Sequence, residues 1–410
     1  MPDSLPTPPG KANIPEAARR VLFGLTILAV TSVSFSVFLS SVAMGSAILI
    51  WLWLLVTAKW DAFPRTELDL LFLLYLAAEL LATAFSGDPL ASFVNTKRFF
   101  LISFVYLILL GTAGRRGLAI AVAVPVCAAS LFSFVELLSL TSVGGHYARL
   151  SLFQYFLTEG GIKMILLLVI TPFVIHPATP RRWRLAAIIG SVPLAAGLVL
   201  TQSRSAWLGL VAGLLAIGIL QNKKLILVLI LLIALFLVAA PADFQARARS
   251  IFDPSMSSNL SRIHMVTTGW RMFLDRPFSG TGDIDLKRLY VTYTKPIEEG
   301  EGGHLHNNAM MLLVTLGIPG ALATLALFTK IFLLELRAVR ETGRDWLLGS
   351  LAVGCLAAYI GFQVNGLFEW NFGDHEIAVL LWFTVGVALL CRKMAEAGGN
   401  PLLPMKGNAP

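Results

Sequence analysis

Residues 225–240 read LILVLILLIALFLVAA, an unbroken apolar run directly after Lys223 and Lys224. A stretch of this kind reads as a helix crossing lipid, because a spanning helix needs about 20 mostly apolar residues. It is not alone. Similar runs lie near 21–38, 41–58, 68–85, 97–111, 118–140, 161–176, 185–201, 205–220, 306–334, 346–366 and 376–391. The whole chain of 410 residues is 56% hydrophobic and 14% charged, with a mean hydropathy of +0.76, whereas ordinary soluble domains run roughly 25% charged. The expected fold class is therefore an all-α integral membrane protein with about twelve transmembrane helices.

These runs divide the chain into a tail over 1–20, nine spans over 21–240, one long loop over 241–305, three spans over 306–391 and a second tail over 392–410. The first run follows Lys11, Arg19 and Arg20 and resembles a secretory signal, but a second run follows at once, so it reads as a retained anchor. Cys127, Cys355 and Cys391 lie in or beside apolar runs and form no CxxC, so they read as packing residues.

The net charge of +8 does not imply a nucleic-acid partner, since basic residues gather at the cytoplasmic ends of membrane helices. With both termini placed in the cytoplasm, 19 of the 32 Lys and Arg residues fall on the inner side, and eight more fall in the long outer loop. Long loops cross largely regardless of charge. The exceptions are Lys97, Arg98, Arg149, Lys163 and Arg204, at or near outer helix ends, where snorkelling or pairing with Asp88, Glu136 or Glu159 would be the ordinary explanation. Arg204 fits that explanation least. It sits in Thr201-Gln202-Ser203-Arg204-Ser205 with no acid nearby in sequence. Ser203 reads as a helix N-cap, and a cation in the first turn opposes the helix dipole unless an anion such as phosphate lies beside it.

The long loop carries Arg262, an amphipathic stretch over 263–274, the turn Arg276-Pro277-Phe278-Ser279-Gly280-Thr281-Gly282, and a glycine-rich hinge over 300–303. His304-Leu305-His306-Asn307-Asn308 follows at the start of the tenth span. A neutral His306 at a helix N-terminus could accept a proton. Asp283 and Asp285 form a DxD, but the expectation is no metal, and no nucleotide-binding fingerprint is present.

Three motifs together resemble the O-antigen ligase (WaaL) family, within the wider O-antigen ligase and polymerase (Wzy-like) group. Arg-x3-Leu is met by Arg204 and Leu208, and His-Asn-x9-Gly-x2-Gly by His306, Asn307, Gly317 and Gly320. The third motif, an arginine ahead of a helix ending in Arg-Pro-x-x-Gly-x-Gly, is met by Arg262 and residues 276–282. The resemblance implies a GT-C-like membrane glycosyltransferase in the bacterial inner membrane with its active site in the periplasm. It implies a glycan donor on undecaprenyl pyrophosphate, a lipid A core acceptor, surrounding membrane lipids and no cofactor. On that reading Arg204 and Arg262 hold the pyrophosphate, Arg149, Lys97, Arg98 and Asn307 assist in binding, and His306 takes the acceptor proton. Alternatives are a repeat-unit polymerase, to which Arg149 with Gly160 and Arg271 with Gly282 conform in spacing, a protein O-oligosaccharyltransferase, and a lipid-linked glycan transporter.

Overall fold

A computed structural model describes residues 14–58, 62–139, 142–143, 146–147, 149–295, 303–343 and 345–397. Residues 300–302 of the expected hinge lie outside the described residues, as do Lys11, Lys59, Arg344 and Lys406 from the charge count. The described chain is helical apart from a short antiparallel pairing of Ser142–Val143 with His146–Tyr147.

The helices in the first half are α1 Glu16–Ser32, α2 Val37–Thr57, α3 Asp69–Ala84, α4 Pro89–Asn95, α5 Ser103–Gly111, α6 Gly114–Leu138, α7 Phe156–Ile175 and α8 Arg181–Leu200. Then come α9 Arg204–Leu220, α10 Lys224–Ala239, α11 Ala242–Arg249, α12 Ser257–Asp275, α13 Lys287–Tyr293, α14 Asn308–Thr342, α15 Trp346–Gly366 and α16 His375–Ala397. By length and composition, eight helical segments can cross a membrane, or nine if α10 and the strongly bent segment after it count as one span. Every one of the twelve apolar runs overlaps a helix, but α1, α3, α9 and α10 have only 16 or 17 residues.

Burial separates the centre of the bundle from its rim. The apolar windows of α15 and α16 are each 83% buried and that of α7 is 78%, against 17% for α8. The central helices approach closely because glycines line their contacts. A Cβ on Gly209 would lie 2.6 Å from the carbonyl oxygen of Gly361, and one on Gly354 would lie 2.5 Å from that of Val169. Small residues serve this purpose in lipid, where packing rather than water exclusion drives association.

Charge is arranged differently at the two ends. At one end Glu67 accepts from Lys330 and Arg392, both at 2.6 Å, and Asp345 takes both forks of Arg115. The bond from Lys330, then that from Arg392, holds the Glu67 carboxyl down to about 2. At the other end lie the start of α9, the surface helices α11 to α13, the start of α14 and the turn between α15 and α16.

The expected tenth span, 306–334, is not one straight helix. At Gly317 the backbone turns to φ +63°, ψ −168° and divides α14 in two. The turn at 277–282 docks into this break: Thr281 and Gly282 donate to the carbonyls of Val314 and Thr315, and Ile318 donates to that of Pro277 at 2.8 Å. A Cβ on Gly317 would lie 2.6 Å from the carbonyl oxygen of Phe278. The glycine there combines a left-handed backbone with a close backbone approach.

Candidate active site

Arg204 opens α9 and is 4% exposed. Ser203 occupies the N-cap position as expected, though its side chain makes no capping bond, and the preceding Gln202 has φ +53°. The guanidinium donates to the carbonyl and hydroxyl of Ser250 at 2.7 and 3.0 Å, to Ser258 Oγ at 2.8 Å and to Asn259 Oδ1 at 2.6 Å. Its two terminal nitrogens are thus spent on the surface loop. No carboxylate is among these acceptors, so a buried positive charge is held by neutral dipoles.

Ser258 and Asn259 begin α12, and Arg262 follows one turn later. Arg262 therefore projects from a helix whose first turn Arg204 fixes. It pairs with Glu369 Oε1. The other oxygen of the same carboxylate, Oε2, lies 2.6 Å from Nδ1 of His306. Arg262 and His306, which belong to different motifs, thus meet through Glu369, a residue the sequence reading did not single out.

Glu369 is only 7% exposed and lies in the connection between α15 and α16. Two asparagines clamp that connection to the start of α14. Asn307 donates to the carbonyl of Leu367 while its Oδ1 caps α14 by accepting from Met310 N. Asn308 donates to Asn371 Oδ1 at 2.5 Å and accepts from Phe372 N. Both ends of the Asn307 amide thus bond within the protein. His306 is thereby held at φ +46°, a conformation that non-glycine residues rarely adopt. In the tautomer with its proton on Nδ1, the ring would donate to Glu369 and leave Nε2 as an acceptor.

Arg149 stacks on Phe156, its Cζ 4.6 Å from the ring centroid, and it is exposed. Arg247 of α11 donates Nε to the carbonyl of Gln202. Burial, then the charges of Arg149, Arg204 and Arg262, push the Arg247 guanidinium down to about 10. Four arginines therefore share one neighbourhood, and Arg247 is a member that the sequence reading left among ordinary loop charges. No motif marks it; only the fold of α11 back over Gln202 brings it in.

Lys97 and Arg98 stand elsewhere. They belong to a 3₁₀ segment, Thr96–Ile102, and Arg98 pairs with Asp283 of the DxD. Asp88 is not their partner, because it caps α4 by accepting from Ala91 N. Burial raises the Asp283 carboxyl from its ordinary value against the opposing pull of Arg98. Asp285 accepts from Lys287 N and points its chemistry into its own turn. Lys163 is 2% exposed and bridges Glu136 and Glu159 inside the bundle, so it pairs rather than snorkels. The glycines in the polymerase-like spacing have packing reasons: Gly160 lies against Ser203 and Gly282 against Ser86, while Arg271 donates to the carbonyl of Tyr293.

Residues 186–325 match a family model described as O-Antigen ligase. No curated protein matched the chain. The matched region is about a third of the chain and contains Arg204, Arg247, Arg262, His306 and Asn307; Glu369 lies beyond it. The match supports the O-antigen ligase and polymerase group and glycan transfer of that general type, in a multi-pass membrane setting. It does not separate a ligase from a polymerase.

Proposed function

We propose that this protein is an O-antigen ligase that moves a glycan from undecaprenyl pyrophosphate to a lipid A core sugar by a single inverting displacement. The observation that carries the reading is the Glu369 carboxylate, which joins Arg262 to His306 Nδ1 beside a group of four arginines.

A sugar on a pyrophosphate already holds its driving force, so the protein must orient two substrates and offset the departing charge. Arg262, Arg149 and Arg247 face that charge. Arg204 adds its own and fixes the helix that carries Arg262. His306 Nε2 accepts the proton of the acceptor hydroxyl as its oxygen bonds to the anomeric carbon, and the bond from that carbon to the pyrophosphate breaks with its electrons leaving on the carrier. Glu369 holds the imidazole and offsets the imidazolium that forms. No metal is needed for this charge balance. The arginine end is assigned to the periplasm and both termini to the cytoplasm of an inner-membrane protein, because the basic residues at the opposite end follow the positive-inside pattern.

The deciding experiment supplies purified full-length protein with a labelled lipid-linked glycan and, in separate reactions, a lipid A core or a second lipid-linked repeat. Product on the lipid A core alone supports the ligase. Elongated lipid-linked glycan alone makes the protein a polymerase.

A further inference from the structure

The turn that docks into the α14 break also forms the floor of an open groove of about 440 Å³. Its apolar walls are Leu81 and Phe85 at the end of α3 and Phe278 of the turn, 43%, 62% and 71% exposed. Leu80 and Leu74 are exposed on the same helix, so that wall continues into the lipid-facing surface of the bundle. The polar rim is Asp275, Arg276 and Ser279. Asp275 Oδ2 accepts from Tyr293 Oη at 2.7 Å, whereas the exposed guanidinium of Arg276 makes no hydrogen bond or ion pair among the described residues.

A groove with exposed apolar walls and, on its rim, a guanidinium free of ion pairs among the described residues matches a lipid with an anionic headgroup. Its place in the fold says which lipid. The groove floor is hydrogen-bonded to Val314, Thr315 and Ile318, at the far end of the short helix that starts beside His306. That helix separates groove and base by roughly 13 Å, at 1.5 Å per residue. Arg262 projects from the first half of α12, whereas Arg276 closes the same helix fourteen positions later, about 21 Å further along it. A molecule anchored in the groove thus starts at the opposite end of α12 from Arg262 and must span more than a lipid headgroup alone covers to reach His306.

We propose that the groove seats the lipid end of the acceptor, a phosphorylated glycolipid with acyl chains along Leu81 and Phe85, phosphate on Arg276, and an oligosaccharide reaching His306. This rests on the acceptor reading above.

Native mass spectrometry of the full chain in micelles tests it with three probes: bisphosphorylated lipid A, the same lipid dephosphorylated, and phosphatidylglycerol. Wild type should retain the phosphorylated glycolipid about tenfold better than the dephosphorylated one, the worth of one charge-assisted contact. Arg276→Gln should lose that preference, Phe278→Ser should weaken retention of both glycolipids alike, and Arg276→Lys should keep most of the preference. Unchanged retention by Arg276→Gln, or equal displacement by phosphatidylglycerol, overturns the assignment. In the transfer assay Arg276→Gln should raise the acceptor KM by a similar factor and leave the donor KM alone; a rise in the donor KM instead also overturns it. Phosphate-dependent retention by a wild-type protein that shows no transfer would overturn the proposed reaction and leave the groove assignment standing.

Discussion

Glu369 Oε2 sits 2.6 Å from His306 Nδ1, although 63 positions separate the two residues in the chain. On the proposed mechanism this contact orients His306 as the base, with Glu369 as a positioning residue that does not touch substrate. Replacing Glu369 with Gln keeps the shape and removes the charge. Transfer should fall by about 100-fold, approaching the roughly 10²- to 10⁴-fold loss expected of His306→Ala, with little change in acceptor KM. A Glu369→Gln protein as fast as wild type would remove this role.

Arg204 uses both terminal nitrogens on Ser250, Ser258 and Asn259. A lysine cannot span these acceptors, because it offers a point charge and no planar fork. Arg204→Lys should therefore be nearly as damaging as Arg204→Ala, by roughly 100- to 1,000-fold in transfer rate. Near-normal rates for Arg204→Lys in correctly inserted protein would show that charge alone suffices.

Gly317 combines φ +63° with a carbonyl where its Cβ would go. Gly317→Ala should cost about 1–3 kcal/mol of stability from backbone strain, with more from the clash. Thermal unfolding in detergent reads this as a lower Tm, accompanied by lost transfer because the helix beginning at Asn308 shifts. An unchanged Tm would mean that the break does not depend on glycine.

The Glu67 carboxyl is held down to about 2 by its bonds to Lys330 and Arg392. Its folded-state value is depressed, so the stabilisation is present above the ordinary carboxylate value and disappears as pH falls through about 2. Because its side chain is 41% exposed, screening keeps the effect small. Wild type should melt above Glu67→Gln at pH 7 in low salt, and the gap should narrow at pH 3 and in high salt. A gap that is constant across both conditions would assign it to packing.

Asp283 is taken by Arg98 and Asp285 by its own turn. Transfer should accordingly persist in excess EDTA. Loss of activity that magnesium restores would return the DxD to the mechanism.

Much of this was legible before folding. The run at 225–240 and its counterparts announced helices in lipid, and three motifs pointed to Arg204, Arg262 and His306, because apolar length and spacing are local properties. The break in α14 could have been suspected from Gly317 and Pro319 but not located, since it depends on the turn at 277–282 docking there. Glu369 and Arg247 were invisible for the same reason: neither carries a motif, and each matters through a partner distant in sequence. For Lys163 the ordinary explanation holds, since it pairs with Glu136 and Glu159, while Arg98 takes Asp283, a partner 185 positions away that the sequence did not indicate. The sequence by itself determined that the chain is a helical membrane protein with an arginine–histidine end. Only the tertiary structure decided which charges are spent on one another, because a charge's partner is set by distance in space.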